Sequence, residues 1–274
     1  MKKHERDNSL PIITLLSDFG LKDPYVAEMK AVILSICPEA HIIDVSHEIE
    51  KFNIRMGAFV LASAAPHFPV GTVHVAVVDP GVGTKRRPII VETERCFYVG
   101  PDNGLLMLAA QKEGIRHVYH VSNQRYMLPQ VSRTFHGRDV FSPAAAHLAR
   151  DCPPSEFGPE IHDYALPEFA KPRMRKGELL GEVLHIDDFG NIVSNISAED
   201  LKKMGLREGC LLHVRLIGET LALKLCSAYG EVPAKKPLGI IGSSDFLEIS
   251  INKGNASKAF KVKIGDSVHV LLNY

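Results

Sequence analysis

Two aspartates stand directly after apolar strands, where a carboxylate can contribute to a binding site. The β-branched stretch Thr72–Val78 runs into Asp79 and a Pro-Gly turn, and Ile12–Leu16 runs into Ser17 and then Asp18. Because open α/β sheets bind ligands at the carboxyl ends of their strands, this placement predicts a site for a polar small molecule. Turn chemistry alone is the alternative, since Asp in such turns often accepts a backbone N–H.

The densest polar cluster is Arg133–Phe141, which contains His136, Arg138 and Asp139. It precedes the last predicted helix of the first half, so His136 should lie at the positive end of a helix. Such a position lowers the pKa of an imidazole and favours its neutral form. The alternative is a structural histidine, with Asp139 as a helix cap. Four other histidines lack such polar neighbours and are predicted to be structural: His47, His67, His74 and His147.

Histidine spacing does not support a metal site. His117 and His120 are three residues apart on a predicted strand, so their side chains should point to opposite faces. His41, Asp44 and His47 straddle a strand and its exit, and no cysteine joins them. We therefore expect neither a structural nor a catalytic metal.

The sequence matches none of the common motifs for nucleotide binding or acyl transfer. Gly81-x-Gly83 continues into Thr84–Pro88 rather than into a helix, so it lacks the helix N-terminus that cradles a dinucleotide phosphate. The sequence also contains no Walker loop and no Gly-x-Ser-x-Gly elbow. It therefore offers no support for these three kinds of site.

The composition is that of a globular protein with balanced charge. Its 274 residues are 45% hydrophobic, and 32 basic residues offset 32 acidic ones without a long block of like charge. This balance argues against nucleic-acid or membrane-surface binding as the main activity. The polar N-terminus does not resemble a signal peptide, and no segment has the roughly 18–20 apolar residues of a membrane span. Five scattered cysteines without a Cys-x-x-Cys pair predict a cytoplasmic protein.

Residues 12 to about 150 alternate strand and helix patterns. Helix signals include Asp23 as an N-cap before Pro24, Asn53 as a second N-cap, and Asn103-Gly104 at the start of a third helix. An alanine-rich helix is predicted over Gly137–Arg150. This alternation predicts a mostly parallel α/β sandwich. The predicted strands are Ile12–Leu16, His41–Val45, Thr72–Val78, Ile89–Glu92, Cys96–Val99 and His117–Val121.

The chain changes character near Asp151, where prolines become frequent. We predict an α/β domain over 11–152, a proline-rich linker over 153–177 and a small all-β barrel-like domain over 178–274. Short strands and a tight Gly218-Glu219 hairpin support the last assignment. The predicted strands of this half are Glu182–Ile186, Ile192–Asn195, Leu212–Ile217, Thr220–Leu225, Leu238–Ile241, Phe246–Ile251 and Ser267–Leu272.

The loop Asp187–Asn191, with the sequence Asp-Asp-Phe-Gly-Asn, joins two of these strands. In a binding site, Phe189 would stack on a flat ring while Asn191 binds the polar edge of that ring. A plain hairpin turn uses the same residue types, and the spacing leaves both interpretations open.

The chain resembles the S-adenosyl-L-methionine (SAM) hydroxide adenosyltransferases, relatives of the fluorinating and chlorinating nucleoside synthases. The resemblance extends from about Ile12 to Leu272 and rests on ordered motifs in both halves. These motifs are Ser17-Asp-Phe-Gly with Asp23, Asp79-Pro-Gly-Val-Gly, Pro101-Asp-Asn-Gly, Phe135-His-Gly-Arg-Asp, Asp187-Asp-Phe-Gly-Asn, Gly242-Ser-Ser-Asp-Phe-Leu-Glu and Gly254-Asn-Ala.

The resemblance implies hydrolysis of SAM to adenosine and L-methionine, with water attacking the ribose C5′. The water-activating set of the family falls on Asp79, Arg86 and His136. A sulfonium is already a good leaving group, so the difficulty lies in the nucleophile. The sequence does not decide whether Asp79 or His136 takes the proton. Two other activities stay open, a 5′-halo-adenosine synthase that uses halide and a non-catalytic protein that binds adenosine or SAM.

The resemblance also implies how the substrate is held. Asp18 would hold the ribose hydroxyls, since a carboxylate can accept two O–H bonds. Adenine would be held by Phe189, Asn191 and the backbone near Ala256. The methionine end would be held by Asp23, Tyr25, Asp187 and Ser243.

Family members form trimers, with each site between the first domain of one subunit and the second domain of a neighbour. The resemblance therefore implies a homotrimer, with a small-molecule substrate and neither cofactor nor metal. Two residues depart from the family pattern. Asp188 occupies a position that is often basic in relatives, and Asp245 one that is often Gly, so the contacts to the methionine end are less defined.

Overall fold

Apolar strands alternate with helices in the first part of the chain and build one sheet. The computed structural model describes residues 10–175 and 177–272, which divide into two compact units between Pro167 and Glu168. The strands of the first unit are β1 (Ile12–Ser17), β2 (His41–Ser46), β3 (Val73–Val77), β4 (Pro88–Thr93), β5 (Phe97–Pro101) and β6 (Ile115–His120).

The pairing of these strands confirms the predicted, mostly parallel sheet. The order is β2-β1-β3-β5-β4-β6, in which β1 pairs in parallel with β2 and β3, and β3 pairs in parallel with β5. Only β4 runs antiparallel to its neighbours β5 and β6. Ser17 pairs with Val77, so the chain segments after β1 and β3 leave the sheet side by side.

Helices pack on the sheet through apolar faces. Helix α1 packs against α4, and α2 packs against α3. Met29 and Ile33 of α1 share a buried core with Ile13 and Leu15 of β1. The helices are α1 (Tyr25–Ile36), α2 (Ile54–Ala64), α3 (Met107–Glu113) and α4 (Ser142–Ala149), the last preceded by a π-helical turn over Gly137–Phe141.

Two of the predicted helix starts are wrong. Asp23 does not cap α1, because Pro24 occupies the N-cap position and the cap has no side-chain hydrogen bond. Asn103 does not open α3, because Gly104 has a φ of +93°, outside the helical region, and α3 begins only at Met107. The cap at Asn53 is confirmed, since its side chain accepts a 2.9 Å hydrogen bond from the backbone N–H of Met56.

The second unit is a closed β-barrel with a small apolar core. Seven strands pair in the order β14-β10-β11-β12-β13-β9-β8, and β14 also pairs with β8, which closes the ring. This confirms the predicted barrel. The strands are β7 (Arg173–Arg175), β8 (Glu178–Ile186), β9 (Ile192–Ser197), β10 (Leu211–Leu216), β11 (Glu219–Cys226), β12 (Pro237–Ile241), β13 (Phe246–Ile251) and β14 (Ser267–Leu271), and the helices are α5 (Ala198–Lys203) and α6 (Ala256–Phe260).

The hairpin between β10 and β11 turns one residue earlier than predicted. Leu216 pairs with Glu219, so the two-residue turn is Ile217-Gly218 rather than Gly218-Glu219. Both turn residues have positive φ, 46° and 81°, as type I′ turns require. The exposed β-branched Ile217 is an unusual residue for this position, which explains why the predicted turn was displaced by one residue.

The proline-rich stretch contains some regular structure. A 3₁₀ turn spans Pro154–Phe157, and its Phe157 ring is fully buried in the core of the first unit. Strand β7 lies near the other end of the stretch. The point at which the two compact units divide falls inside this stretch, and the exact domain boundaries stay a prediction.

One buried histidine couples the stability of the first unit to pH. His74 on β3 is fully buried, and its Nδ1 lies 2.8 Å from Oγ1 of Thr14. Its ring stacks on Tyr98 at a centroid distance of 5.0 Å. Burial, with a smaller contribution from Arg95, lowers the pKa of His74 to about 3.

We expect the free energy of unfolding to fall as the pH drops below 6.5. Unfolded His74 binds a proton near pH 6.5, whereas the folded form stays neutral down to about pH 3. The unfolded state therefore gains protons first, which costs about 2 kcal/mol of stability between pH 7 and pH 5. Urea unfolding at both pH values measures this.

The double variant Thr14→Val/His74→Leu should lose this part of the pH dependence, because it replaces the polar pair by apolar side chains of similar size. The exposed His67→Gln variant is the control and should keep it. An unchanged pH dependence in the double variant would contradict the assignment to His74.

Candidate active site

A buried ion pair lies just beyond the carboxyl end of β3. Asp79 follows the strand, the chain turns through the Pro-Gly segment, and Arg86 returns to meet it. The Nε of Arg86 donates to both carboxylate oxygens of Asp79 at 2.9 Å, and its Nη2 also contacts Oδ2. Less than a tenth of either side chain is exposed. Such burial strengthens the interaction, and the pairing offsets the cost of removing both charges from water.

His136 completes this set through the same guanidinium. Its Nδ1 lies 2.9 Å from Nη2 of Arg86. Because a guanidinium only donates, Nδ1 must accept, and the proton of the neutral ring is assigned to Nε2. Burial and the positive charge of Arg86 lower the pKa of His136, so the ring is neutral near pH 7. The predicted position at a helix start is confirmed, since His136 is the N-cap of the π-helical turn, and burial and Arg86 add to the effect.

Asp139 anchors the segment that carries His136. It is fully buried, its Oδ2 accepts from the backbone N–H of Ser132 at 2.7 Å, and Arg138 donates to its Oδ1 at 2.6 Å. Arg138 also reaches Glu28 on α1 at 2.7 Å. The alternative of Asp139 as a helix cap is therefore wrong. Its carboxylate instead binds the preceding loop at Ser132 and, through Arg138, links that loop to α1.

Asp18 lies at the carboxyl end of β1, with 6% of its surface exposed. Its Oδ2 accepts the backbone N–H of Phe52 at 2.9 Å, and its backbone oxygen is contacted by Nζ of Lys51. Phe52 has a φ of +65°, a strained conformation for a residue other than glycine. The segment before α2 therefore closes over Asp18 from one side.

These side chains line one cavity of about 250 Å³ in the first unit. The predicted residues Asp18, Asp23, Tyr25, Asp79 and His136 all line it, and Arg86 lies behind Asp79 and His136. The sequence analysis missed eight further lining residues, namely Phe19, Lys51, Phe52, Val77, Val82, Thr134, Phe135 and Gly137. The loop after β2 was the available signal, since β2 is a parallel neighbour of β1 and its exit must lie at the same sheet edge.

Three aromatic rings form one wall of this cavity. Tyr25 and Phe135 meet at a centroid distance of 5.2 Å, and Phe19 lies 5.7 Å from each of them. Their steep interplanar angles are typical of edge-to-face packing. Aromatic faces attract cations, so this wall suits a positively charged ligand.

A second cavity, of about 960 Å³, lies in the barrel unit. Four predicted residues line it, namely Asp187, Phe189, Asn191 and Ser243. Phe189 is 80% exposed, so its ring is available for stacking. Ala256 is fully buried at the start of α6, directly after the lining residue Asn255. The predicted residues of the two halves thus line two separate cavities, one in each unit.

The Asp187–Asn191 loop is fixed from within. Asp187 accepts the backbone N–H of Asn191 at 2.8 Å and its side-chain amide at 2.9 Å. This contact assigns Nδ2 of Asn191 to Asp187 and leaves Oδ1 as an acceptor. Gly190 has a φ of +84°, and a Cβ there would lie 2.1 Å from Nδ2 of Asn255, so only glycine lets the loop approach α6.

The barrel cavity contains a hydrogen-bonded acid that the sequence analysis missed. The hydroxyl of Tyr229 donates to Oε2 of Glu248 at 2.9 Å. Burial, reinforced by the charge of Asp187, raises the pKa of the Glu248 carboxyl despite the hydrogen bond. Lys235 and Lys253 also line this cavity. Glu248 ends the motif that begins at Gly242, but no pattern in the sequence links it to Tyr229, because the barrel topology brings them together.

The described residues contain neither a metal-binding cluster nor a membrane-spanning helix. Within 10–175 and 177–272, no three His, Cys, Asp or Glu side chains are arranged to hold a metal ion. Over the same ranges, no helix is long and apolar enough to cross a membrane.

Comparison with known proteins places this chain in a family. The family described as SAM hydroxide adenosyltransferase matches through its N-terminal domain at residues 13–158 and its C-terminal domain at residues 181–269. The chain belongs to the SAM hydroxide adenosyltransferase family.

Relatives in this family cover almost the whole chain. An (R)-S-adenosyl-L-methionine hydrolase of Methanocaldococcus jannaschii is 38% identical over 273 residues, which cover 97% of this chain and 98% of the relative. A fluorinase of an Actinoplanes species is 30% identical over 292 aligned positions, covering 96% and 98%. A crystal structure of an uncharacterized conserved protein from Thermotoga maritima has a TM-score of 0.85 and 37% identity, covering 94% of this chain and 99% of that one.

Proposed function

We propose that this protein hydrolyses SAM with water at the ribose C5′ and releases adenosine and L-methionine. The observation that carries the proposal is the buried set of Asp79, Arg86 and His136, which shares one cavity with Asp18. Four relatives that are 34–38% identical are named (R)-S-adenosyl-L-methionine hydrolases, whereas the fluorinases are more distant. We extend the R configuration at sulfur to the substrate of this protein.

The reaction needs a positioned nucleophile more than an acid. The water oxygen attacks C5′, the C5′–S bond breaks, and its electron pair neutralises the sulfonium to the thioether of methionine. The proton that leaves the water needs an acceptor, and a positioned base is worth about 10²–10⁴-fold. Holding the water in line behind C5′ can contribute roughly 7–11 kcal/mol more.

Asp79 is the better proton acceptor of the two candidates. His136 already uses Nδ1 to accept from Arg86, and its neutral ring presents Nε2–H, which is a donor. Asp79 keeps unused lone pairs beyond the contacts from Arg86. We therefore propose that Asp79 takes the proton while His136 donates to the water oxygen and Arg86 holds both groups.

The remaining predicted residues form the proposed substrate contacts. Asp18 holds the ribose diol, and the wall of Phe19, Tyr25 and Phe135 faces the sulfonium. In the barrel unit Phe189 stacks on adenine, and Oδ1 of Asn191 accepts from its amino group, with the backbone near Ala256 at the same edge. Contacts to methionine are assigned to Asp23, Tyr25, Asp187 and Ser243.

We also propose that the active unit is a homotrimer. The catalytic residues line a cavity in the first unit, and the adenine-binding residues line another in the barrel. A substrate that needs both sets must bring one unit of a chain to the other unit of the same or a neighbouring chain. The resemblance to trimeric enzymes favours two neighbouring chains.

The products distinguish the proposed activity from its alternatives. Incubation with SAM in ¹⁸O-water should give adenosine labelled at the 5′-hydroxyl, because water attacks C5′ directly. The R epimer at sulfur should be consumed and the S epimer left. Mass spectrometry of the products measures both.

Parallel incubation with and without chloride is the control. A 5′-chloro-adenosine product would identify a halide-using enzyme. Binding of SAM without turnover would identify a non-catalytic protein. Adenosine without the label would contradict direct attack by water.

The proton acceptor is tested by matched variants. Asp79→Asn should lower kcat by about 10²–10⁴-fold, since the isosteric amide cannot take a proton. His136→Gln should retain at least about tenfold more activity than His136→Ala, because Gln keeps a donor near the position of Nε2. Steady-state kinetics measure these ratios, and unfolding midpoints show that each variant is folded.

The pH profile gives a second measurement. Since the pKa of His136 lies below its usual value, the acid limb of kcat should fall below pH 6.5. Protonated His136 loses the acceptor that holds Arg86. If His136→Gln loses its activity while Asp79→Asn keeps most of it, His136 rather than Asp79 is the base.

Mixing inactive variants tests where the site closes. Asp79→Ala damages the first-unit cavity and Asn191→Ala damages the barrel cavity. After joint dissociation and reassembly, mixed trimers should regain measurable activity, because some sites combine two intact halves. Mass measurement of the assembly is the control. A mixture that stays inactive although each parent forms its oligomer would show that the site closes within one chain.

A further inference from the structure

A series of polar contacts runs behind Asp18 from the surface to the end of β1. Lys30 donates to Asp44 at 2.6 Å, and Oδ1 of Asp44 lies 3.1 Å from Nε2 of His47. Nδ1 of His47 lies 2.8 Å from Oγ of Ser17, the residue before Asp18. The sequence analysis treated His47 as a structural histidine because its neighbours along the chain gave no sign of these contacts.

The partners at each end fix the direction of these bonds. Nε2 of His47 faces a carboxylate oxygen of Asp44, which cannot donate, so a proton is assigned to Nε2, although this contact has an ion-pair distance without hydrogen-bond geometry. Nδ1 then accepts the hydroxyl hydrogen of Ser17. The oxygen of Ser17 in turn accepts the backbone N–H of Phe19 at 3.3 Å. The residues on either side of Asp18, Ser17 and Phe19, are therefore both linked to His47 through the Ser17 hydroxyl.

An irregularity in the sheet brings His47 to this place. The parallel register of β1 and β2 pairs Leu15 with Asp44 but Leu16 with Ser46, so Val45 is an extra residue. This shift moves the exit of β2 by one residue and sets His47 level with Ser17. Bulges of this kind redirect side chains next to active sites.

His47 also holds the other side of the turn. Its backbone oxygen accepts the N–H of Gly20 at 2.8 Å. The segment that continues from it supplies the contacts of Lys51 and Phe52 to Asp18. The turn from Ser17 to Gly20 is thus held at its start by the His47 ring and at its end by the His47 backbone.

The arrangement resembles a nucleophilic triad, but its burial rules out that role. Ser17 is fully buried, and His47 is 4% exposed. Neither lines the first-unit cavity, whereas Asp18 does. The hydroxyl of Ser17 therefore cannot reach a substrate.

We infer that His47 is a positioning residue, which acts through Ser17 and Asp44 to aim the carboxylate of Asp18 at the ribose hydroxyls. This inference rests on the proposed function, because it takes the ribose diol as the ligand of Asp18. It assigns specificity for the 2′-hydroxyl to a network that does not touch the substrate.

The test is the preference for adenosine over 2′-deoxyadenosine, measured by calorimetric binding and independent of turnover. The native protein should prefer adenosine by roughly ten- to a hundredfold, the value of a hydrogen bond to a charged group. Ser17→Ala should reduce this preference at least about fivefold, because the turn loses both of its bonds to Ser17. The KM for SAM should rise more than kcat falls.

Thr14→Val is the matched control. It removes another buried hydroxyl–imidazole bond of 2.8 Å from the same strand, between Thr14 and His74. It should lower the unfolding midpoint by a similar amount and leave the preference for the 2′-hydroxyl unchanged. A merely structural role for Ser17 and His47 would make both variants behave alike.

Two substitutions of His47 separate its two ring contacts. In His47→Asn the amide can occupy the position of Nδ1 and accept from Ser17, whereas in His47→Gln it can occupy the position of Nε2 and donate to Asp44. The Asn variant should therefore keep more of the preference than the Gln variant. If Ser17→Ala does not fold, the comparison of the two His47 variants still tests the inference.

The outcomes are distinct. Native preference in both Ser17→Ala and His47→Gln, or equal loss in Thr14→Val, would overturn the inference. A native protein indifferent to the 2′-hydroxyl would overturn it together with the ribose role of Asp18. Failure to hydrolyse SAM, with the preference for adenosine intact and lost in Ser17→Ala, would contradict the proposed function alone and support the inference.

Discussion

The parallel pairing of β1 with β2 and β3 is the constraint on which the first-unit cavity depends. Parallel strands release the chain at the same sheet edge, so three consecutive exits meet there. Those exits carry Asp18, the segment around His47, and Asp79. The helices between the strands are the crossovers that parallel pairing requires, and their apolar faces supply the core. The strand topology therefore determines where the cavity lies, independently of the side chains that line it.

Charge then determines what these exits can do. Asp79 and Arg86 are both buried, and removing one partner of a buried pair leaves an uncompensated charge that costs about 3–5 kcal/mol. The same guanidinium faces His136, so one positive group sets the orientation of the carboxylate and the tautomer of the imidazole. Because Asp79 and His136 share this one guanidinium, the two possible proton acceptors are not equivalent. One keeps lone pairs available, while the other is left with a donor.

The sequence predicted the elements and the chemistry better than the details of position. Alternating patterns identified the sheet, and turn residues after β1 and β3 identified Asp18 and Asp79. Asp23 was wrongly predicted as a cap because an Asp before Pro is typical of a helix start, whereas Pro24 takes the N-cap position and Asp23 lines the first-unit cavity. Lys51 and Phe52 were missed because their contacts to Asp18 span more than thirty residues. Such contacts have no local signature.

His47 shows why long-range networks escape sequence analysis even where a short-range pattern is visible. Its spacing from Asp44 suggested only a possible metal site, which the rest of the sequence did not support. The extra residue in β2 is what turns this pair toward Ser17, and this short, largely exposed strand has too little hydrophobic alternation to reveal it. The barrel offers a parallel case, because Gly190 is needed only for the close approach of Asn255. In both units, residues outside the cavity lining fix the backbone from which a lining side chain projects. The specificity proposed for the 2′-hydroxyl therefore depends on residues outside the first-unit cavity.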